Sequence, residues 1–161
     1  MNDLLATAAA PSVADQAREA LGNRNLIFVG LMGAGKSVIG RLVAQALGFP
    51  FIDTDAEIEW VSRMTITELF AAYGEAEFRA LESRVVFRLL QDGPRVISTG
   101  GGAFINENTR RVIKEGGVSI WLNAELQVLW ERVSKRDRRP LLKTENPKAT
   151  LENLMNQRYP I

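Results

Sequence analysis

Short apolar runs of strand length alternate with longer segments of helical periodicity along most of the chain. The run at residues 26–29 (Leu-Ile-Phe-Val) is unbroken and ends at a glycine, which is typical of a parallel strand buried on both faces. Similar patterns predict further strands at 51–52, 96–99 and 118–122, and helices at 36–47, 56–63, 65–74, 75–91, 107–115 and 125–135. This alternation predicts an α/β fold with a mostly parallel sheet and helices on both faces.

Two of the predicted helices carry specific signals. The helix at 36–47 has an apolar stripe at helical spacing, formed by Val38, Ile39, Leu42, Val43, Ala46 and Leu47. The segment that opens with Thr65-Ile66-Thr67-Glu68 has the pattern of a capping box, which predicts a helix start.

The first 24 residues are rich in alanine and contain one weakly amphipathic piece, residues 12–21. We expect them to form a partly ordered N-terminal extension of a domain at 25–161. The apolar stretch at the N-terminus is short and its first charged residue is Asp3, which does not fit a signal peptide. No run approaches the roughly 20 apolar residues of a spanning helix, so a cytosolic protein is expected.

Composition narrows the chemistry. The 161 residues are 46% hydrophobic and 24% charged, as in one compact domain, and the net charge is +1. Since both signs are spread through the same segments, we expect small-molecule partners and neither nucleic acid nor a membrane. The chain has no cysteine and no histidine, so acid–base chemistry must come from Asp, Glu, Lys or Tyr.

A phosphate-binding loop follows the first strand. The sequence at 30–37 is Gly-Leu-Met-Gly-Ala-Gly-Lys-Ser, which fits G-x-x-x-x-G-K-[S/T] between a strand and a helix. Glycines let backbone N–H groups turn inward around an anion, and the helix start adds its positive dipole end. Lysine would reach the terminal phosphates and serine would bind Mg²⁺. The candidate nucleotide-binding residues here are Gly33, Ala34, Gly35, Lys36, Ser37 and Val38; the alternative is a glycine turn with an incidental lysine.

Motifs elsewhere in the chain distinguish between the protein families that share such a loop. The motifs Asn-Lys-x-Asp and Asp-x-x-Gly of GTPases are absent, as is the Leu-Ser-Gly-Gly-Gln signature of transporters. The third strand runs into Thr99 and three glycines at 100–102, whereas many ATPases have an aspartate there. The acidic residues lie instead at the end of the second strand.

Asp53 and Asp55 follow that second strand directly. If the extended backbone continues past Ile52, both carboxylates face the same side, at the edge of the sheet where ligands of α/β folds bind. One carboxylate would then hold Mg²⁺ and its waters, and the other would accept a proton from a substrate hydroxyl. The alternative is that the two residues cap the next helix.

A set of motifs occurs in a specific order: Gly30 to Ser37, Ile39-Gly40-Arg41, Asp53-Thr54-Asp55, Gly74-Glu75, Glu77-Phe78-Arg79 with Glu82, Gly100-Gly101-Gly102 and Arg139-Pro140-Leu141-Leu142. In order and spacing they resemble the shikimate kinases over residues 25–161. The combination is far more specific than the phosphate-binding loop alone.

The resemblance implies a three-layer P-loop kinase fold whose five-stranded sheet has the order 2-3-1-4-5. It implies a substrate-binding segment at about 53–85 and a mobile lid at about 135–149. The implied reaction is phosphorylation of shikimate to shikimate 3-phosphate with ATP and Mg²⁺, a step of aromatic amino acid biosynthesis. A cytoplasmic monomer is implied as well.

The resemblance also implies residue roles. Asp55 would bind ring hydroxyls and act as base or orienting group, while Asp53 and Ser37 would serve Mg²⁺. Arg79 and Arg158 would clamp the substrate carboxylate, because a guanidinium fork matches its two oxygens. Glu82 would hold Arg79, and the N–H groups of Gly100, Gly101 and Gly102 would donate to the substrate. Lys36 and Arg139 would act on the transferring phosphate. Arg136 would lie near the nucleotide base.

The family's pattern continues past Ile161 into a last strand and a closing helix. We therefore expect a C-terminally incomplete domain with four strands, an incomplete adenine pocket and an exposed apolar edge. Two other functions fit the sequence: a related small-molecule kinase such as a gluconate kinase, and a non-catalytic nucleotide-binding module. Nucleoside monophosphate kinases fit less well, because the lid is short.

Overall fold

The computed structural model describes residues 10–136 and 140–161. The strands are β1 (Asn25–Val29), β2 (Phe51–Asp53), β3 (Val96–Ser98) and β4 (Gly117–Trp121). The helices are α1 (Val13–Leu21), α2 (Lys36–Leu47), α3 (Thr54–Ser62), α4 (Ile66–Leu90), α5 (Glu107–Gly116), α6 (Leu126–Val133) and α7 (Pro147–Arg158). Short 3-10 turns occupy Ala103–Ile105 and Pro140–Leu142.

The described strands form one parallel sheet in the order β2-β3-β1-β4. Phe28 of β1 is in register with Ser98 of β3 and with Ile120 of β4. The predicted α/β class and parallel sheet are confirmed, and the four strands lie in the order expected of the family. Since the strands are parallel, the chain leaves β1, β2 and β3 at one edge of the sheet, where the site lies.

Helices cover both faces of the sheet. On one face Ile27 and Ile97 pack with residues of α3, α4 and α5, among them Ile58, Val86 and Ile113. On the other face α1 and α2 supply the contacts to the sheet, through Leu21, Ala44 and Leu47 against Leu26, Phe28 and Val96. Burial of these side chains contributes about 1.5–3 kcal/mol each before the entropy of ordering is subtracted.

A third apolar cluster lies behind the phosphate-binding loop. Leu31, Met32 and Ala34 of the loop pack against Leu129 of α6 and Leu151 of α7. The apolar positions of the loop sequence therefore fix its outer side to two helices. This packing holds the backbone of the loop in place, so that its other side is left for the site.

The buried face of α2 differs from the predicted stripe. The predicted helix is confirmed, but Val38, Ile39 and Leu42 of its apolar stripe are 58%, 38% and 62% exposed. The buried positions include Gly40 and Ala44, and a Cβ on Gly40 would lie 2.7 Å from the ring of Phe51. The small residues Gly40 and Ala44 let the helix axis approach the sheet closely, and Leu47 completes the packed face.

Segment boundaries also differ from the prediction at several points. The piece at 12–21 is helix α1, begun by a capping box between Ser12 and Asp15, and it packs on α2. The predicted helices on either side of Gly74 form α4, which is broken there by a left-handed glycine (φ 79°). The capping box of Thr65 and Glu68 is confirmed. Within residues 10–136 and 140–161, no helix combines the length and apolarity that crossing a bilayer requires.

Candidate active site

The phosphate-binding loop connects β1 to α2 and depends on its glycines. Gly30, Gly33 and Gly35 have φ angles of 144°, 82° and 96°, a region that side chains rarely adopt. A Cβ on Gly33 would lie 2.9 Å from Val133, and one on Gly30 would lie 2.8 Å from the carbonyl oxygen of Leu122. No described side chain caps the start of α2, so its first N–H groups are available for an anion.

Lys36 lies along this loop. Its side chain is largely buried, and Nζ donates to the carbonyl oxygens of Gly30 (2.8 Å) and Leu31 (2.9 Å). The ammonium is therefore held by the loop on the same side as the start of α2. A charge in this position favours a polyphosphate at the loop.

Hydroxyl and carboxylate oxygens meet at the ends of three structural elements. Ser37 Oγ donates to Asp53 Oδ2 at 2.5 Å and lies 3.2 Å from Ser98 Oγ. The oxygens of Ser37, Asp53 and Ser98 are all hard ligands, so this set fits Mg²⁺. Ser98 was missed by sequence reasoning, because a serine inside an apolar strand gives no signal until the strand order is known.

The backbone after β2 corrects the predicted geometry of Asp53 and Asp55. The strand ends at Asp53 and α3 begins at Thr54, so the extended conformation does not continue. Asp53 is the N-cap of α3, and its Oδ1 accepts from the N–H groups of Asp55 (3.0 Å) and Ala56 (3.5 Å). The capping alternative is thus correct for Asp53, while its second carboxylate oxygen faces Ser37.

Three glycines after β3 bring the candidate residues together. A Cβ on Gly100 would lie 2.6 Å from Glu82 Oε1 and 2.9 Å from Asp55 Oδ1, and one on Gly102 would lie 2.6 Å from the Arg79 guanidinium carbon. Asp55, Glu82 and Arg79 can therefore take these positions only because Gly100 and Gly102 lack side chains.

The same glycine segment also lies against the phosphate-binding loop. A Cβ on Gly101 would lie 3.0 Å from the backbone nitrogen of Met32. The N–H of Gly100 donates to Thr54 Oγ1 at 3.0 Å, which ties the segment to the start of α3. It therefore separates the loop from the side chains of α3 and α4 by one backbone thickness.

Arg79 and Glu82 form an ion pair on α4. Arg79 Nη1 donates to Glu82 Oε2 at 2.7 Å, and Nη2 lies 3.4 Å from Glu75. Glu82 is 2% exposed and its Oε1 has no hydrogen-bond partner among the described residues. Burial raises the pKa of Glu82, Arg79 opposes that shift and the nearby Asp55 adds to it.

Arg158 approaches from α7. Its Nη1 donates to the carbonyl oxygen of Gly101 at 3.1 Å. The next residue, Tyr159, donates to the carbonyl oxygen of Ala124 at 2.5 Å, which holds the end of the helix. Burial and the neighbouring Arg79 lower the pKa of Arg158, so two guanidiniums repel each other here. Such a pair favours an anion between them.

The basic residues around α6 are placed unequally. Arg132 Nη1 donates to the carbonyl oxygen of Gly33 at 2.9 Å, which joins α6 to the phosphate-binding loop. Arg136 is exposed after the end of the helix, and Arg139 lies outside the described residues. Arg132 was missed, because a charged residue on a charged helix gives no signal by itself.

A cavity of about 400 Å³ lies beside this site. Gly30, Leu31, Gly101, Arg158 and Trp121 of β4 are among the residues that line it. Asp55 and Arg79 are not among its lining residues. The cavity therefore reaches Arg158 and Trp121 and does not include the Asp55 and Arg79 side chains.

Comparison with known proteins decides the family. The family model described as shikimate kinase matches residues 32–161 of the chain. This chain belongs to the shikimate kinase family. The identification from the motifs is thereby confirmed, and membership makes the chain an ATP-dependent kinase.

Similar shikimate kinases are known in both sequence and structure. The shikimate kinase of Rhizobium meliloti (strain 1021) is 70% identical over 161 residues, which are 100% of this chain and 83% of that protein. The one from Rhizobium leguminosarum bv. trifolii (strain WSM2304) is 76% identical over 94% of this chain and 78% of that protein. The structure of the shikimate kinase from Acinetobacter baumannii in complex with shikimate superposes with a TM-score of 0.85 at 37% identity, covering 90% of this chain and 80% of that one.

Proposed function

We propose that this chain transfers the terminal phosphoryl group of ATP to a ring hydroxyl of shikimate, giving shikimate 3-phosphate in the pathway to aromatic amino acids. One observation carries the proposal: the Gly100–Gly102 segment has the phosphate-binding loop on one side and Asp55, Arg79 and Glu82 on the other. A nucleotide and an acidic, hydroxylated substrate bound on these two sides would meet across a glycine backbone. The high identity to named shikimate kinases supports the choice of acceptor.

The nucleotide side consists of the loop and the start of α2. The N–H groups of Gly33, Ala34, Gly35, Lys36, Ser37 and Val38 would surround the phosphates, and Lys36 would turn from the loop carbonyls to the terminal phosphate. Ser37 and Asp53 would hold Mg²⁺, which neutralises phosphate charge when bound. Arg132, through its contact with Gly33, would stabilise the loop at the nucleotide.

The acceptor side consists of residues from α3, α4 and α7. Asp55 would accept a hydrogen bond from the attacking hydroxyl and take its proton as the phosphoryl group is transferred. Because phosphoryl transfer depends mainly on positioning and on neutralising charge, a carboxylate suffices and no histidine is needed.

The substrate carboxylate would bind between Arg79 and Arg158, and Gly100, Gly101 and Gly102 would donate backbone N–H groups. The ion pair with Glu82 holds the Arg79 fork in one orientation before substrate arrives. A guanidinium that is already oriented loses less entropy on binding than a mobile one.

The remaining parts of the proposal concern the lid and the protein as a whole. Arg139 would neutralise the transferring phosphate from a lid at about 135–149, with Arg136 near the nucleotide base. Residues 1–24 would form an extension of a kinase domain at 25–161, with substrate binding centred on 53–85. The protein would act as a cytoplasmic monomer, without nucleic acid or membrane partners.

A coupled assay of ADP release tests the function. We expect release that depends on shikimate and on Mg²⁺, stops when the metal is chelated and is absent with gluconate. Turnover with gluconate alone would replace the proposal by a gluconate kinase function. Nucleotide binding without turnover of either acid would indicate a non-catalytic module.

A further inference from the structure

Glu82 occupies an unusual position for a carboxylate. One of its oxygens, Oε2, accepts from Arg79, whereas Oε1 lacks a hydrogen-bond partner among the described residues and points at the glycine segment. Oε1 and Asp55 Oδ1 lie 2.6 Å and 2.9 Å from the same point, the Cβ position of Gly100. A buried oxygen without a partner costs about 1–3 kcal/mol, more if charged, so its retention at the site calls for a role.

The charges around Glu82 come from three helices. Arg79 faces it from α4, Asp55 from α3, and Arg158 from α7. Glu75 of α4 contacts Arg79 from its exposed side. The glycine segment on the fourth side carries no charge. Among these described residues, Glu75 and an ionised Glu82 therefore share two guanidiniums, and the Asp55 carboxylate adds a further negative charge near Glu82.

The substrate adds a further carboxylate to this cluster. It would compete for the same two guanidiniums that now attract Glu82, and it would add a further negative charge beside them. Both changes disfavour a negative charge on Glu82. Of the clustered carboxylates, Glu82 is the buried one, while Glu75 is 55% exposed and keeps its solvation.

We propose that Glu82 takes up one proton from solvent when the substrate carboxylate docks against Arg79 and Arg158, so that the acid binds as an anion together with a proton. The inference rests on the proposed function, because it needs a carboxylate ligand in that place. Glu82 is a positioning residue, since it acts through Arg79. The new O–H bond on Glu82 supplies a donor at a site otherwise crowded with acceptors, and the proton returns to solvent when the ligand leaves.

The raised pKa of free Glu82 agrees with this direction. Proton uptake is linked to affinity, so the dissociation constant for shikimate should rise with pH between the pKa of Glu82 in the free protein and that in the complex. The rise is limited to about tenfold per pH unit, the limit for one linked proton.

The first experiment follows the side-chain carboxyl ¹³C signal of Glu82 through a pH titration, in the free protein and in protein saturated with shikimate. We expect its midpoint to move to higher pH in the complex, while the midpoint of Glu75 moves less. An unchanged or lower midpoint for Glu82 would overturn the inference. Saturation by shikimate is observed in the same spectra, so a failure of binding would count against the proposed function and not only against this inference.

The second experiment counts protons by calorimetry, from the heat of shikimate binding in buffers of different ionisation enthalpy. The wild type should take up a fraction of one proton in the pH range where the midpoint moves, and Glu75→Gln should do the same. Glu82→Gln should bind without uptake and with an affinity that varies less with pH. Equal uptake by Glu82→Gln, or none by the wild type, would contradict the inference. If Glu82→Gln does not fold, the wild-type count and the titration still decide.

Discussion

Single carboxylates at this site divide two tasks between their two oxygens. Asp53 caps α3 with Oδ1 and contacts Ser37 with Oδ2. Glu82 holds Arg79 with Oε2 and leaves Oε1 without a partner in the described part of the chain. One residue therefore serves both the fold and the site. A substitution that keeps the contact of one oxygen and removes that of the other can separate the two roles.

Glu82 should make the free protein less stable as pH rises. Its pKa is raised above the ordinary value of 4.5 by burial, so the folded state binds its proton more tightly than the unfolded state does. The contribution to stability is complete below pH 4.5 and is lost as pH rises through the folded pKa, with a slope of up to about 1.4 kcal/mol per pH unit. Urea unfolding of the wild type and Glu82→Gln across this range measures the difference.

Glu68 provides a control of opposite sign. The capping contacts with Thr65 lower its pKa, so its stabilising contribution is present above the ordinary value and is lost as pH falls. The pH dependence removed by Glu68→Gln should therefore run opposite to that removed by Glu82→Gln. The same sign for both variants would show that burial does not control Glu82.

At the scale of elements, the site depends on where a strand gives way to a helix or a turn. The chain leaves β1 through glycines with positive φ, leaves β2 directly into α3, and leaves β3 through three glycines. Each exit exposes backbone groups or a capping side chain at one edge of the sheet. The ends of the strands thus place backbone groups at the site, and only a few side chains are needed to complete it.

The two tasks of Asp53 can be separated by substitution. Asn is as good an N-cap as Asp, so Asp53→Asn should retain the stability of the wild type while Asp53→Ala loses about 1 kcal/mol. Both variants remove the charge beside Ser37, so both should need more Mg²⁺ for half-maximal activity. Thermal unfolding and a Mg²⁺ titration of ADP release check this, and an unchanged Mg²⁺ requirement in Asp53→Asn would refute the metal role.

Substitution of Gly102 should weaken substrate binding through its effect on Arg79. The Gly102 φ of −110° suits alanine, but a new Cβ would meet the Arg79 guanidinium and displace it. Loss of a charge-assisted contact predicts that KM for shikimate rises by about tenfold or more. Tm should fall as well, because the buried Glu82 loses its ion-pair partner.

Gly48→Ala is the matched control for this substitution. Gly48 has φ of 66° with open space around it, so alanine there should cost about 1 kcal/mol of stability and leave KM unchanged. An increase of KM in both variants would indicate a general loss of structure and not displacement of Arg79.

For the whole molecule, the sequence predicted the features formed by neighbouring residues. It missed many contacts between residues that are far apart in the chain. The phosphate-binding loop and the strand and helix alternation follow from local patterns, and both are present. The neighbourhood of Ser37 and Ser98 depends on β1 and β3 being adjacent, which no local pattern encodes. Helix α7 was not predicted from periodicity, although it carries Arg158 to the site. Roles that came from the family resemblance, such as the clamp by Arg79 and Arg158, remain predictions.

A structure of the protein with shikimate and a non-hydrolysable ATP analogue tests the central claim most directly. We predict polyphosphate bound by the N–H groups of the phosphate-binding loop, and shikimate across the glycine segment with a hydroxyl at Asp55 and its carboxylate between Arg79 and Arg158. Shikimate bound elsewhere, with Asp55 and Arg79 contacting neither its hydroxyl nor its carboxylate, would contradict the account.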